Sequence, residues 1–146
     1  LEMGRAYVLR EGADVTIVAA GVEIDEAMKA ADALAGQGVS AEVVDAFCIK
    51  PLDAGTILAS VAKTGCIVTA EEHSVIGGLG GAVSELLAEA HPAPLERVGM
   101  RDCFGTSGEF EELLAYFHLD ALSIVEAALK VIARKEAKEH IAGSRA

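Results

Sequence analysis

The sequence predicts an α/β fold, three layers deep, with helices on both faces of a mixed but mostly parallel sheet. Three observations carry this. Short apolar runs alternate with stretches whose apolar residues recur at helical spacing, in the order strand, strand, helix, strand, helix, strand, helix, strand, helix, helix. That alternation implies right-handed crossovers and parallel strands. Hydrophobic residues make up 52% of the 146 positions, yet aromatics are only 4% and Trp is absent. The core is therefore Ala, Val, Leu and Ile, which suits a sheet covered on both faces. Finally, only a tight turn separates the first two strands, and a parallel pair needs a long crossover. If those two pair, they pair antiparallel.

The elements follow in order. Ala6 to Leu9 is a short apolar run, read as a weak strand, and Glu11-Gly12-Ala13-Asp14 is a turn signal. Val15 to Ala20 is continuous and β-branched, as a buried strand should be. Gly21 ends it. Ile24, Ala27, Met28, Ala31, Leu34 and Ala35 then mark one face of a helix, which Gly36 and Gly38 stop. Ala41 to Phe47 is the next strand. Asp53, just after Pro51, is placed to cap a helix carrying Ile57, Leu58 and Val61, and Gly65 closes it. Cys66 to Ala70 is a strand, Ala82 to Ala90 a helix-like run with the stripe Leu79, Val83, Leu86 and Leu87, and His91-Pro92-Ala93-Pro94 a stop. Leu95 to Val98 is the last strand. Phe104 to Gly108 is a loop, Glu109 to Phe117 a short helix, and Leu122, Val125, Leu129 and Ile132 mark the final helix. We expect one domain over residues 1–134 and a polar, frayed tail over 135–146.

Composition excludes several classes of function. The net charge of −11 repels phosphate backbones, so nucleic acid is not the expected partner. Cys48, Cys66 and Cys103 are odd in number and widely spaced, which fits neither a disulfide framework nor a zinc site. Cys48 and Cys66 read as small buried hydrophobes. His91, His118 and His140 are scattered, so no metal-ligand spacing emerges. No apolar run is long enough for a membrane span or a signal peptide, and the cytoplasm is the expected compartment. The first residue is Leu rather than Met, so a piece of a longer chain is expected.

The most informative stretch is Glu71-Glu72-His73, followed by Gly77-Gly78-Leu79-Gly80-Gly81. It lies where a buried strand hands over to a helix, the place where open α/β sheets bind ligands and partners. The glycines resemble a phosphate cradle at a helix N-terminus. Yet position 83 is Val, so the pattern is not Gly-x-Gly-x-x-Gly, and no Gly-Lys-Ser/Thr follows. The two glutamates would also repel phosphate. A turn that lets helix and sheet pack closely is the expected role. Glu71, Glu72 and His73 offer either acid–base chemistry or a polar contact with another domain. Side chains alternate along an extended chain, so Glu71 and Glu72 should point apart, which favours the contact. Asp45 at a strand end and Lys50 before Pro51 are further candidates for an interface or an anion site. So are Arg101 and Ser107, on the last glycine-rich loop. Arg101 could grip a carboxylate or phosphate; a local ion pair with Asp102 or Glu109 is the preferred reading.

Four blocks in order resemble one family. They are Asp14-Val15-Thr16-Ile17-Val18-Ala19-Ala20-Gly21, Lys50-Pro51-Leu52-Asp53, Thr69-Ala70-Glu71-Glu72-His73 with Gly77-Gly78-Leu79-Gly80, and Phe104-Gly105-Thr106-Ser107-Gly108. From about Gly4 to Ile132 the chain is similar to the C-terminal domain of transketolase, most of all in the split bacterial and archaeal form. The resemblance implies a five-stranded mixed sheet whose first strand runs against the others. It implies a cytoplasmic enzyme of the pentose phosphate pathway that moves a two-carbon ketol unit between sugar phosphates, using thiamine diphosphate and a divalent metal such as Mg2+. The family's Gly-Asp-Gly motif for diphosphate and metal is absent from this chain, so no catalytic, cofactor or metal residue is assigned to it. The expected partners are the remaining transketolase domains or an N-terminal subunit, within a dimeric holoenzyme. The alternatives are an independent anion- or nucleotide-binding regulatory domain, and the equivalent domain of a 2-oxo acid dehydrogenase beta subunit.

Overall fold

The computed structural model describes residues 2–145. Five strands and five helices run along them: β1 Tyr7–Arg10, β2 Val15–Ala19, α1 Glu23–Gly36, β3 Ala41–Asp45, α2 Ala54–Thr64, β4 Ile67–Ser74, α3 Leu79–Ala90, β5 Leu95–Met100, α4 Phe110–Tyr116 and α5 Ala121–Ser144. The strands lie in the order β1-β3-β2-β4-β5. β2, β3, β4 and β5 are parallel, and β1 is antiparallel. β1 does not pair with β2, its neighbour in sequence. It pairs with β3, Tyr7 opposite Asp45 and Val8 opposite Val44. The turn at Glu11–Asp14 thus carries the chain across β3 rather than closing a hairpin. Gly12 sits against the β3 backbone so closely that an added Cβ would lie 2.2 Å from the carbonyl carbon of Ala41.

Alternation along β2 assigns the two cores. Val15, Ile17 and Ala19 face α1 and α5, with Val43, Val68, Ala70, Leu34, Ile124 and Val131. Val18 faces α2 and α3, with Val44, Ile57, Val61, Ile67, Leu79 and Val83. Thr16 shares that second face and is completely buried. Its hydroxyl bonds to those of Ser60 and Thr64 on α2, at 2.7 Å each, so the polar groups satisfy one another.

The helices start and stop by local chemistry. The Asp53 side chain accepts from the Thr56 N–H at 3.1 Å, and also from the Ala6 N–H at 2.9 Å, which ties the N-terminal strand to α2. Gly65 ends α2 in the left-handed region, at φ 78°. Asp120 caps α5 in the same way as Asp53 caps α2, by accepting from the Ser123 N–H. α5 is helical to Ser144, so residues 135–144 continue it as its final turns. Lys135 anchors this extension by donating to the carbonyls of Asp14 and Thr64 at 3.0 Å each. No helix among the described residues is long and apolar enough to cross a membrane.

Candidate functional site at the carboxyl end of the sheet

β4 is longer than its apolar run. It continues through Glu71, Glu72 and His73 to Ser74, and its register with β5 shifts between Ala70 and Ser74. This extension lifts the polar trio past the rim of the sheet. The side chains then separate. Glu71 turns in and is only 3% exposed, whereas Glu72 and His73 are exposed. His73 Nδ1 donates to the Ser74 carbonyl at 2.8 Å.

The Glu71 carboxylate occupies the glycine loop. One oxygen accepts from the Leu79 N–H at 2.7 Å and the other from the Gly80 N–H at 2.9 Å. These are among the free donors at the N-terminus of α3, where the helix dipole also favours negative charge. A side chain eight residues upstream therefore caps a helix whose own N-cap, Gly78, has no side chain to do it. Gly78 must be glycine, because a Cβ there would lie 2.1 Å from a Glu71 carboxylate oxygen. Gly80 makes room for Arg97, whose Cδ would be 2.8 Å from an added Cβ. Arg97 reaches under the loop from β5 and donates to the Val75 carbonyl at 2.9 Å. Gly77 supplies a positive φ of 75°, whereas Gly81 faces open space.

Two more carboxyl groups lie at this end of the sheet. Glu23, the first residue of α1, is wholly buried, and neither of its oxygens has a hydrogen-bond partner among the described residues. Burial pushes its pKa up to about 8, and the nearby charges of Glu26, Glu72 and Asp120 push the same way. Asp45, at the end of β3, has one buried oxygen without a hydrogen-bond partner among the described residues. Burial raises its pKa, and the Phe47 N–H works against that rise. Sequence reasoning missed Glu23, since an acid in the first turn of a helix ordinarily just complements the dipole.

Of the candidate residues, Glu71, Glu72, His73, Gly77 and Gly78 line one cleft of about 320 Å3 together with Ile49. Lys50 and Gly81 line the adjoining cleft beside Glu85 and Glu89. Arg101 belongs elsewhere, on a cleft at the β5 edge with Glu96 and Lys130. It pairs with neither Asp102 nor Glu109; it donates to the Arg97 carbonyl at 2.7 Å. Ser107 is exposed on the following loop. Cys66 is buried as expected, while Cys48 is only half-buried.

The fold, the motifs and this geometry can be set beside known proteins. Residues 4–124 match the family model described as "Transketolase, C-terminal domain". The chain belongs to the transketolase C-terminal domain family. It is 53% identical over 133 residues to a 6-deoxy-6-sulfo-D-fructose transketolase subunit (SqwH) of Clostridium sp. (strain MSTE9), covering 91% of this chain and 41% of the relative. It is 42% identical over 134 residues to the 1-deoxy-D-xylulose-5-phosphate synthase of Thermomicrobium roseum, covering 91% of this chain and 21% of that enzyme. A solved structure entitled "Split gene transketolase, inactive beta4 tetramer" superposes with a TM-score of 0.90 at 47% identity, over 92% of this chain and 44% of that one. The chain thus spans less than half the length of each.

Transketolases use thiamine diphosphate with a metal, and the residues of this domain can be set against the needs of that group. They do not fit it. The N–H groups that would cradle a diphosphate at α3 already bond to Glu71. Among the described residues there is no cluster of three or more His, Cys, Asp or Glu suited to a metal ion.

Proposed function

We propose that the chain is the assembly domain of a split-type transketolase, and that chemistry occurs on the domains with which it packs. The observation that carries this is the internal occupation of the glycine loop. In a domain whose fold position invites a ligand, the anion site is filled by the protein's own Glu71. That also argues against an independent anion- or nucleotide-binding domain.

In this reading the assembled enzyme transfers a two-carbon ketol unit between sugar phosphates or similarly anionic sugars. Thiamine diphosphate and Mg2+ are held by other domains or by a partner subunit, the holoenzyme is a dimer or a higher assembly, and its compartment is the cytoplasm. The role of Glu72 and His73 is contact with the neighbouring domain.

Reconstitution tests this. The assembled enzyme, supplied with thiamine diphosphate and Mg2+, should convert a ketose phosphate donor and an aldose phosphate acceptor, and the 146-residue chain alone should not. Turnover by the chain alone would overturn the reading. So would an assembly that lacks ketol transfer but co-purifies with a lipoyl-bearing acyltransferase.

A further inference from the structure

We propose that Arg101 and Arg134 close the β5 edge of the sheet to strand addition, so that a second copy of the chain does not pair along it. This closure holds whichever enzyme the chain serves.

β5 ends the strand order, so one of its sides has no strand beside it. The Ile67 N–H donates to the Pro94 carbonyl at 3.1 Å, and backbone groups alternate in direction along a strand. Pro94, Glu96 and Val98 therefore bond to β4, while the N–H and C=O groups of Leu95, Arg97 and Gly99 point outward. Two of these three outward carbonyls are taken. Arg134 Nη1, from α5, donates to the Leu95 carbonyl at 2.8 Å. Arg101 Nη2, from just past the end of β5, folds back and donates to the Arg97 carbonyl at 2.7 Å. The guanidinium groups thus fall on the alternate positions that an added strand would use.

An unpaired edge is a template for another strand, and proteins blunt it with charge, bulges or shortness. β5 lacks most of these devices. It has six residues, and its own charges are turned away from the edge. Arg97 reaches the Val75 carbonyl beneath the glycine loop. Glu96 accepts from two α5 side chains, Lys130 at 3.1 Å and Arg134 at 2.8 Å. The opposite edge is protected otherwise: β1 is only four residues long, and its register with β3 shifts between Val8 and Arg10.

With the Leu95 and Arg97 carbonyls occupied, the edge offers mainly N–H donors. An incoming strand would bury its own N–H groups without acceptors, which opposes pairing. Charge acts the same way. Two copies meeting edge to edge would bring Arg101, Arg134 and Lys130 of each together, and like charges so placed repel. Glu96 holds one of the two guanidinium groups in position, since Arg134 Nη1 bonds its carboxylate and the Leu95 carbonyl at once. Arg134 is half-exposed and Arg101 exposed, so either is removed without opening a core.

Sedimentation equilibrium of the 146-residue chain tests this, together with amide exchange read residue by residue by NMR. The double variant Arg101→Ala, Arg134→Ala should self-associate about tenfold more tightly than wild type. Its Arg97 and Gly99 amides should exchange about tenfold more slowly at high than at low protein concentration. Arg101→Ala alone removes one exposed side chain and should move both readings the same way by a smaller factor, which keeps the test decisive if the double variant does not fold. The double variant Lys138→Ala, Arg145→Ala removes the same charge from exposed positions near the end of α5 and should behave as wild type. No tighter association in either edge variant would overturn the closure. So would association whose protection falls away from β5, or equal association in the Lys138→Ala, Arg145→Ala variant. Wild-type Arg97 and Gly99 amides that already slow with concentration would overturn it too.

Discussion

Replacing Glu71 tests whether the glycine loop is an internal cap. Glu71→Ala removes the acceptor for the Leu79 and Gly80 N–H groups, both at the buried start of α3. A buried donor left without a partner costs about 1–3 kcal/mol, so two of them cost about 2–6 kcal/mol, less whatever water can enter the space vacated. We expect a loss of about 3 kcal/mol. Glu71→Gln keeps one carbonyl acceptor but aims an amide donor at the other N–H, and should cost about half as much. Urea unfolding followed by circular dichroism reads the difference. With a slope of about 2 kcal/mol per molar, the midpoint should fall by about 1.5 M for Glu71→Ala. Glu72→Ala, from the exposed neighbour, should stay within about 0.5 kcal/mol of wild type. Equal effects at the two positions would refute the cap. So would a wild-type midpoint raised by tens of millimolar phosphate at constant ionic strength, because the loop would then hold an external anion.

Four other outcomes follow from the same geometry. Gly78→Ala forces a Cβ to 2.1 Å from Glu71 and should cost about 3 kcal/mol, whereas Gly81→Ala meets open space inside α3 and should stabilise by about 0.5–1 kcal/mol, both by urea unfolding. Glu23 has its folded pKa raised from 4.5 to about 8. Between these values the folded state binds the extra proton, so the Glu23 contribution is intact below pH 4.5 and declines as pH rises to about 8. Thermal unfolding across that range should therefore show Glu23→Gln gaining on wild type with rising pH, and a constant offset would refute the burial argument. Thr16→Val breaks the Thr16–Ser60–Thr64 hydroxyl group and should cost about 1–3 kcal/mol with no change in native far-UV signal. Asp53→Ala removes the α2 cap together with the Ala6 tether, and should cost about 1–2 kcal/mol and speed exchange at the Ala6 amide.

Much of the fold was legible because its signals are local. The run Val15 to Ala20 reads as a buried strand, Asp53 and Gly65 bracket α2 by ordinary capping chemistry, and the short turn after β1 ruled out a parallel partner in β2. The pairing of β1 with β3 was not legible, since no local pattern distinguishes one edge from another. The length of α5 was not legible for a similar reason. A polar stretch gives no sign that Lys135 will find the carbonyls of Asp14 and Thr64, more than seventy residues away in sequence. At the site, alternation along β4 separated Glu71 from Glu72. Nothing local revealed that Glu71 would cap the helix eight residues on. The glycines hinted at a close approach, and what approaches is the protein's own carboxylate. Glu23 shows the opposite limit: an acid in the first turn of a helix looks solvated until packing buries it.

The proposed assembly role places the cofactor site on other domains. Isothermal titration calorimetry of thiamine diphosphate with Mg2+ tests it most directly, on the 146-residue chain and on the assembled enzyme. Saturable heat is expected from the assembly and none from the chain alone. Tight, metal-dependent binding by the chain alone would contradict it.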